Sequence, residues 1–417
     1  MKLTDLFKIV IFFLCVSTGS GFALTCPGGC PDGAENSYRV WFVNNTNTVS
    51  GDGSYGNPFQ ALKSAEAASL PCDIIYVFPG NGMDTHMNEG IILKDNQKLL
   101  GTSIAAFQLC PTGDQAACGL PKISNSATPM VNRIPTIQLA NNNTIEGIFI
   151  LDEIGSAAMS NLVTMNDAVV PAVTAPITGV NVNNCSIASN TNGIYLSECP
   201  NLGAVNILDN SLSINFDFMS GSIPSEGAAI VIISCGNALV DCSNNDFNGT
   251  MEIGIIITGL VDNINARIVN NEMNFEGFGG IELVNGPLIT TRDIKCKLFA
   301  DVEDNRINIS QALSIRPGSI AGITASLVQE HSMMGVFVNG LQIICVRLHD
   351  NAVNVPYRIG SPTLNSNGYL FFNGYPDPTR LRIDMNNGNT GSIATNVAFD
   401  GSTDESFVVG VTPDCTE

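Results

Sequence analysis

The segment Val240-Asp241-Cys242-Ser243-Asn244-Asn245-Asp246-Phe247 returns 26 residues later as Ala266-Arg267-Ile268-Val269-Asn270-Asn271-Glu272-Met273. Each copy sets apolar residues at alternate positions on both sides of a polar pair ending in Asn, the pattern of strand, tight turn, strand. From about residue 137 to 356 the phrase recurs, anchored on Asn183, Asn210, Asn245, Asn271, Asn305 and Asn351. Three residues before the anchors stand Val180, Ile207, Cys242, Ile268, Val302 and Leu348. Two residues after them stand Cys185, Leu212, Phe247, Met273, Ile307 and Val353, again all apolar. Successive anchors are 27, 35, 26, 34 and 46 residues apart. The short spacings define a basic coil, and the long ones are the same coil with a loop of roughly 8 to 20 residues inserted.

A second phrase precedes the first: a small residue, then apolar, variable, apolar. It reads Gly193-Ile194-Tyr195-Leu196, Ala229-Ile230-Val231-Ile232, Gly254-Ile255-Ile256-Ile257, Gly280-Ile281-Glu282-Leu283 and Gly335-Val336-Phe337-Val338. The distances to the next anchor are 17, 16, 17, 25 and 16 residues, so both phrases belong to one unit of three strands. One coil cannot bury its own inward side chains, so coils must stack into aliphatic ladders. Each inward Ile, Leu or Val taken from water contributes about 1.5 to 3 kcal/mol. The anchor Asn is expected to adopt the left-handed turn conformation and to stack its side-chain amide from coil to coil. The prediction is an all-β chain, a single-stranded right-handed parallel β-helix. The consensus of leucine-rich repeats is absent, and a propeller's tryptophan signature is incompatible with a single Trp.

The first residues set Lys2 and Lys8 before the apolar run Ile9 to Val16 and small residues up to Ala23. That order predicts a secretory signal over 1–23. Its apolar core is less than half the ~20 residues that a spanning helix needs, so no membrane insertion is expected after cleavage. The expected location is secreted or cell envelope. Twelve of 13 cysteines follow Ala23. An even count in an exported chain suits disulfides, with Cys26–Cys30 and Cys235–Cys242 as neighbouring pairs, and buried thiols as the other reading. With 38 acidic against 18 basic residues the formal charge is -20, which excludes nucleic acid as a partner by like-charge repulsion. A hydrophobic fraction of 44% against 13% charged excludes disorder.

The N-terminal stretch adds Val40-Trp41-Phe42-Val43, Gly51-Asp52-Gly53-Ser54-Tyr55-Gly56-Asn57-Pro58-Phe59 and Asp73-Ile74-Ile75-Tyr76-Val77-Phe78-Pro79-Gly80. Together with the Asn-bearing turns, these segments resemble the pectin-lyase-like right-handed parallel β-helix superfamily over roughly residues 38 to 356. The resemblance implies an N-terminal cap and first strands over 24–136. A short capping helix is expected at 58–69, with Asn57 as N-cap and Pro58 at its first position. The repeats would occupy 137–356, and the short strands of 357–417 would form a C-terminal β cap.

In that superfamily the enzymes carry their acids and bases on the outer face of one sheet. Here the outward stripe of the second phrase is Tyr195, Val231, Ile256, Glu282 and Phe337, mostly apolar. Glycoside hydrolysis needs two facing carboxylates and the stripe offers one. The aspartate cluster and basic residue of sugar lyases are also missing. Asp241 with Asp246, and Asp301, Glu303 and Asp304, supply the oxygen ligands a calcium ion would take, or are solvated turn residues in an acidic chain. No other cofactor is expected. His349 reads as structural, and Arg316 and Arg347 as surface cations able to clamp an acidic sugar. Tyr195 and Phe337 would stack on sugar rings beside Glu282. The expected function is non-catalytic binding of a polysaccharide or cell-surface partner. The alternative is a polysaccharide lyase or glycoside hydrolase.

Overall fold

The computed structural model describes residues 39–101 and 119–409 with interruptions, the longest being 165–172, 217–226, 286–295, 312–319, 328–341, 355–365 and 396–407. The expected signal segment, the Cys26–Cys30 pair, Arg316 and Phe337 lie outside the described residues.

Among the described residues three parallel sheets carry 12, 8 and 10 strands, and one short antiparallel pair, Leu162–Thr164 with Val173–Thr174, stands apart from them. From Lys98 to Asn373 each coil contributes one strand to each sheet, so the fold is a parallel β-helix. One coil shows the path: Ala238–Ser243 on the first face, Asp246–Thr250 on the second and Ile253–Gly259 on the third, before Asp262–Val269 returns to the first. Alternation decides which side chains go inward. On the first face Ile145, Val182, Ile207, Cys242, Ile268, Val302 and Leu348 stack in register. On the second, Ile150, Ile187, Leu212, Phe247, Met273, Ile307 and Val353 do the same. All of them belong to one continuous core.

The turn between the first and second faces divides two tasks that the sequence reading gave to one residue. The left-handed conformation belongs to the first residue of the polar pair: Asn184, Asp209, Asn244, Asn270, Asp304 and Asp350, with φ between 52° and 59°. The second residue forms the amide ladder. Asn245 Nδ2 donates to Asn271 Oδ1 (3.0 Å) and to the Ile207 carbonyl (2.9 Å), while its Oδ1 accepts from Asn210 N–H (3.1 Å) and Asn210 Nδ2 (3.0 Å). The same set repeats at Asn271 and Asn305, and Asn351 continues it to Asn389. Two donors and two acceptor sites are thus used in each interior rung, which is how a fully buried amide avoids an orphaned polar atom.

Asn183 is not a rung. Val182, not Val180, lies opposite Ile207, and Cys185 occupies the ladder position, its N–H donating to Asn210 Oδ1 (2.9 Å). A slip of two residues leaves every side chain on its expected face, so alternation alone cannot detect it.

Two boundaries also move. The helix is shorter than expected, Leu62–Ala68, with Ala61 as N-cap and no side-chain cap. Phe59 is held extended instead: its N–H donates to the Phe42 carbonyl (2.8 Å), it bridges Val43, and its ring stacks on Trp41 at 5.6 Å. Asn57 closes a turn with Ser54. Trp41, Phe59, Leu62 and Ala65 cover the end of the core. At the other end the coil runs on past residue 356. Ser366–Asn373 pairs in parallel with Ile320–Leu327, and Leu381–Met385 with Gln342–His349, so these strands extend the third and first faces.

Candidate functional site

On the third face the inward residues Ile194, Ile230, Ile255 and Ile281 stack as expected, and Ile323 is next in the backbone register. The outward stripe is Tyr195, Val231, Ile256 and Glu282, with Thr324 next in the backbone register. Thr324 therefore takes the place assigned to Phe337. The phrase that marks this strand is Gly322-Ile323-Thr324-Ala325, and Gly335-Val336-Phe337-Val338 competed with it in sequence.

The stripe is sheltered. Val231 is only 1% exposed although it points away from the continuous core, and Tyr195, Ile256 and Glu282 are half-buried. Burial holds the Glu282 carboxyl above its ordinary range, and the like charge of Glu252 pushes it the same way. Glu252 was not legible as a partner. It lies one residue before its strand Ile253–Gly259, whereas Glu282 lies inside the neighbouring strand Gly279–Asn285. Chemically, the stripe offers an apolar platform, one aromatic ring, and a carboxyl that keeps its proton to higher pH than a solvated glutamate.

The acidic residues proposed for calcium are parted by the fold. Asp241 stands on the first face, with Arg267 Nη1 3.1 Å from its Oδ2. Asp246 is across the turn on the second face, opposite Glu272, and its carboxyl is raised by burial and then by that neighbour. Asp301 lies between Arg267 and Arg347, Glu303 between Val269 and His349, and Asp304 is a left-handed turn residue. Among the described residues no group of three or more His, Cys, Asp or Glu side chains is arranged to hold a metal ion.

The expected Cys235–Cys242 bridge does not form: Cys242 is a free, buried thiol facing inward. Cys185 is likewise free, and burial pushes its thiol up to about 12. Burial also raises Cys242, with Asp241 adding to the effect. Cys72 and Cys345 each take part in a disulfide whose other half lies outside the described residues.

A cavity of about 420 Å³ lies away from the stripe, on the outer side of the first face. Asn265, Lys297, Phe299, Asp301 and Arg347 line it. No helix among the described residues is long and apolar enough to cross a membrane. No family model matches the sequence, and neither a curated protein nor a solved structure shows significant similarity to it.

Proposed function

We propose that this chain is an exported β-helix protein that binds carbohydrate along the outer stripe of the third face, without catalysis. The observation that carries the reading is the burial of Val231 outside the core between half-buried Tyr195 and Ile256. A sheltered stripe that joins apolar side chains to one carboxyl suits a sugar, whose C–H faces would pack on Tyr195 and Ile256 while a hydroxyl pairs with Glu282. A glycan array, followed by calorimetry on any glycan retained, tests it. Wild type should bind, and Tyr195→Ala should weaken binding at least tenfold. Absence of any retained glycan, or equal affinity of the variant, would remove the reading.

A second reading, hydrolysis or elimination on a polysaccharide, is favoured by one observation: burial, with the charge of Glu252 adding to it, keeps the proton on Glu282 to higher pH, as a general acid requires. Release of reducing or unsaturated sugar ends that disappears in Glu282→Gln would support it. Release that persists would take Glu282 out of the chemistry.

A further inference from the structure

The cavity on the outer side of the first face is centred on Phe299. Lys297, Phe299 and Asp301 line it as alternate residues of the strand Cys296–Glu303, about 6.8 Å apart. Asn265 lies opposite Phe299 on one side and Cys345 on the other. Phe299 and Lys297 are half-buried and Cys345 is 2% exposed, so the ring sits in a hollow rather than on an open sheet. The charges at one end of this hollow are not used up within the protein. Arg267, between Asp241 and Asp301 in register, turns to Asp241 (3.1 Å) and to the Ser243 hydroxyl (3.1 Å). Arg347, between Asp301 and Asp384 in register, forms no ion pair among the described residues, and neither does Asp301. A guanidinium and a carboxylate on adjacent strands, both unpaired, therefore border one cavity of about 420 Å³.

We propose that this cavity binds a free α-amino acid with an aromatic or large apolar side chain. Arg347 takes the α-carboxylate, for which its fork of donors is shaped, and Asp301 takes the α-ammonium. The two ligand charges sit on one carbon, which suits partners on strands about 4.8 Å apart. The ligand side chain then lies on the Phe299 ring, where an aromatic group stacks with an offset. The charges select a zwitterion. An anion alone, such as an acidic sugar, gains Arg347 but meets Asp301, whereas a cation alone meets Arg347 and Lys297. Lys297, beyond the ring, also disfavours a basic side chain. The volume is that of a small-molecule pocket and suits a single amino acid. The cavity lies on a different face from the Tyr195 to Glu282 stripe, so this binding does not depend on the carbohydrate reading.

Isothermal titration calorimetry of the full chain with L-phenylalanine tests the proposal, with two analogues that each lack one charge. Wild type should bind L-phenylalanine, and should bind N-acetyl-L-phenylalanine and L-phenylalanine amide at least tenfold more weakly. L-lysine and glucuronate should also bind at least tenfold more weakly. Asp301→Asn should lose the preference over the N-acetyl analogue and keep the preference over the amide. Arg347→Gln should do the reverse, a crossed pattern that no folding defect produces. Phe299→Ala should weaken L-phenylalanine at least tenfold while leaving both preferences in place. No saturable binding of L-phenylalanine to wild type, equal affinity for the three phenylalanine compounds, or preferences unmoved by the two charge variants would overturn the proposal.

Discussion

Replacing Asn271 by Ala removes four hydrogen bonds at once: Nδ2 to the Cys242 carbonyl (2.9 Å) and to Asn305 Oδ1 (2.9 Å), and from Asn245 N–H (3.0 Å) and Asn245 Nδ2 (3.0 Å) to Asn271 Oδ1. The site is 1% exposed, so water cannot replace the lost partners without entering the turn. At about 1 kcal/mol net per bond, and more where a buried group is left unsatisfied, the loss should be about 3 to 5 kcal/mol. Two neighbours calibrate it. Asn274 is exposed and bonds to Glu272 and Asn308 on the outer surface, so Asn274→Ala should cost under about 1 kcal/mol. Asn270 holds the left-handed conformation at φ 54°, so Asn270→Ala should cost about 1 to 2 kcal/mol through backbone strain. Urea titrations of the three variants give the differences. Native-state hydrogen exchange at the Asn245 amide, whose acceptor is the deleted Oδ1, should show the local loss of protection. If Asn271→Ala proved no more damaging than Asn274→Ala, the ladder would be decoration rather than a source of stability, and the division of labour within the polar pair would be wrong.

Cys185→Asn should add a rung, with Nδ2 donating to the Ile145 carbonyl and to Asn210 Oδ1; a gain of about 1 kcal/mol is expected in the same titration, and a loss would mean the ladder cannot be extended. Cys185 and Cys242 should resist alkylation in the native protein at pH 8 and react on unfolding, as peptide mapping would show, because burial suppresses the thiolate. Glu282 has a folded-state pKa raised above its unfolded value, so it costs stability as pH rises from the unfolded value through the raised one. Glu282→Gln should therefore be more stable than wild type at pH 7 and indistinguishable from it below about pH 4, and the reverse order at pH 7 would contradict the assignment. Gly249 has φ 102°, and a Cβ there would stand 2.1 Å from the Ile214 carbonyl oxygen, so Gly249→Ala should lower the melting temperature by roughly 10 °C or more.

What the sequence made legible follows from which constraints are local. Inward Ile194, Ile230, Ile255 and Ile281 declare themselves, because an aliphatic residue every second position has one place to go. The rungs from Asn210 to Asn351 were readable for a different reason: a buried amide tolerates no substitute that can make four hydrogen bonds in the same space. Asn183 misled because two adjacent asparagines and a run of alternating valines fit two registers equally well, and only stacking on Ile207 decides between them. The helix start failed on a tertiary contact, since Phe59 gains more by pairing with Val43 and covering Trp41 than Pro58 gains by opening a helix. Glu252 acts on Glu282 across the winding of the coil, and no spacing along the chain announces that.

From residue 143 to 354 the strands flanking the ladder turn are separated by two residues, 147–148, 184–185, 209–210, 244–245, 270–271, 304–305 and 350–351, whereas the same corner of the preceding coil, between Leu100 and Lys122, holds 21. At the other two corners the linkers range from a single residue, between Gly277 and Gly279, to the 19 residues between Ser160 and Val180, which carry the short strands Leu162–Thr164 and Val173–Thr174. Between interior rungs of the ladder this edge is expected to refuse lengthening, because an extra residue there would break the amide chain above and below it. The other two edges can accept new segments without disturbing what holds the stack together. New surface features, whether acquired by drift or grafted by design, are therefore expected to accumulate along two edges and leave the third smooth where the ladder runs.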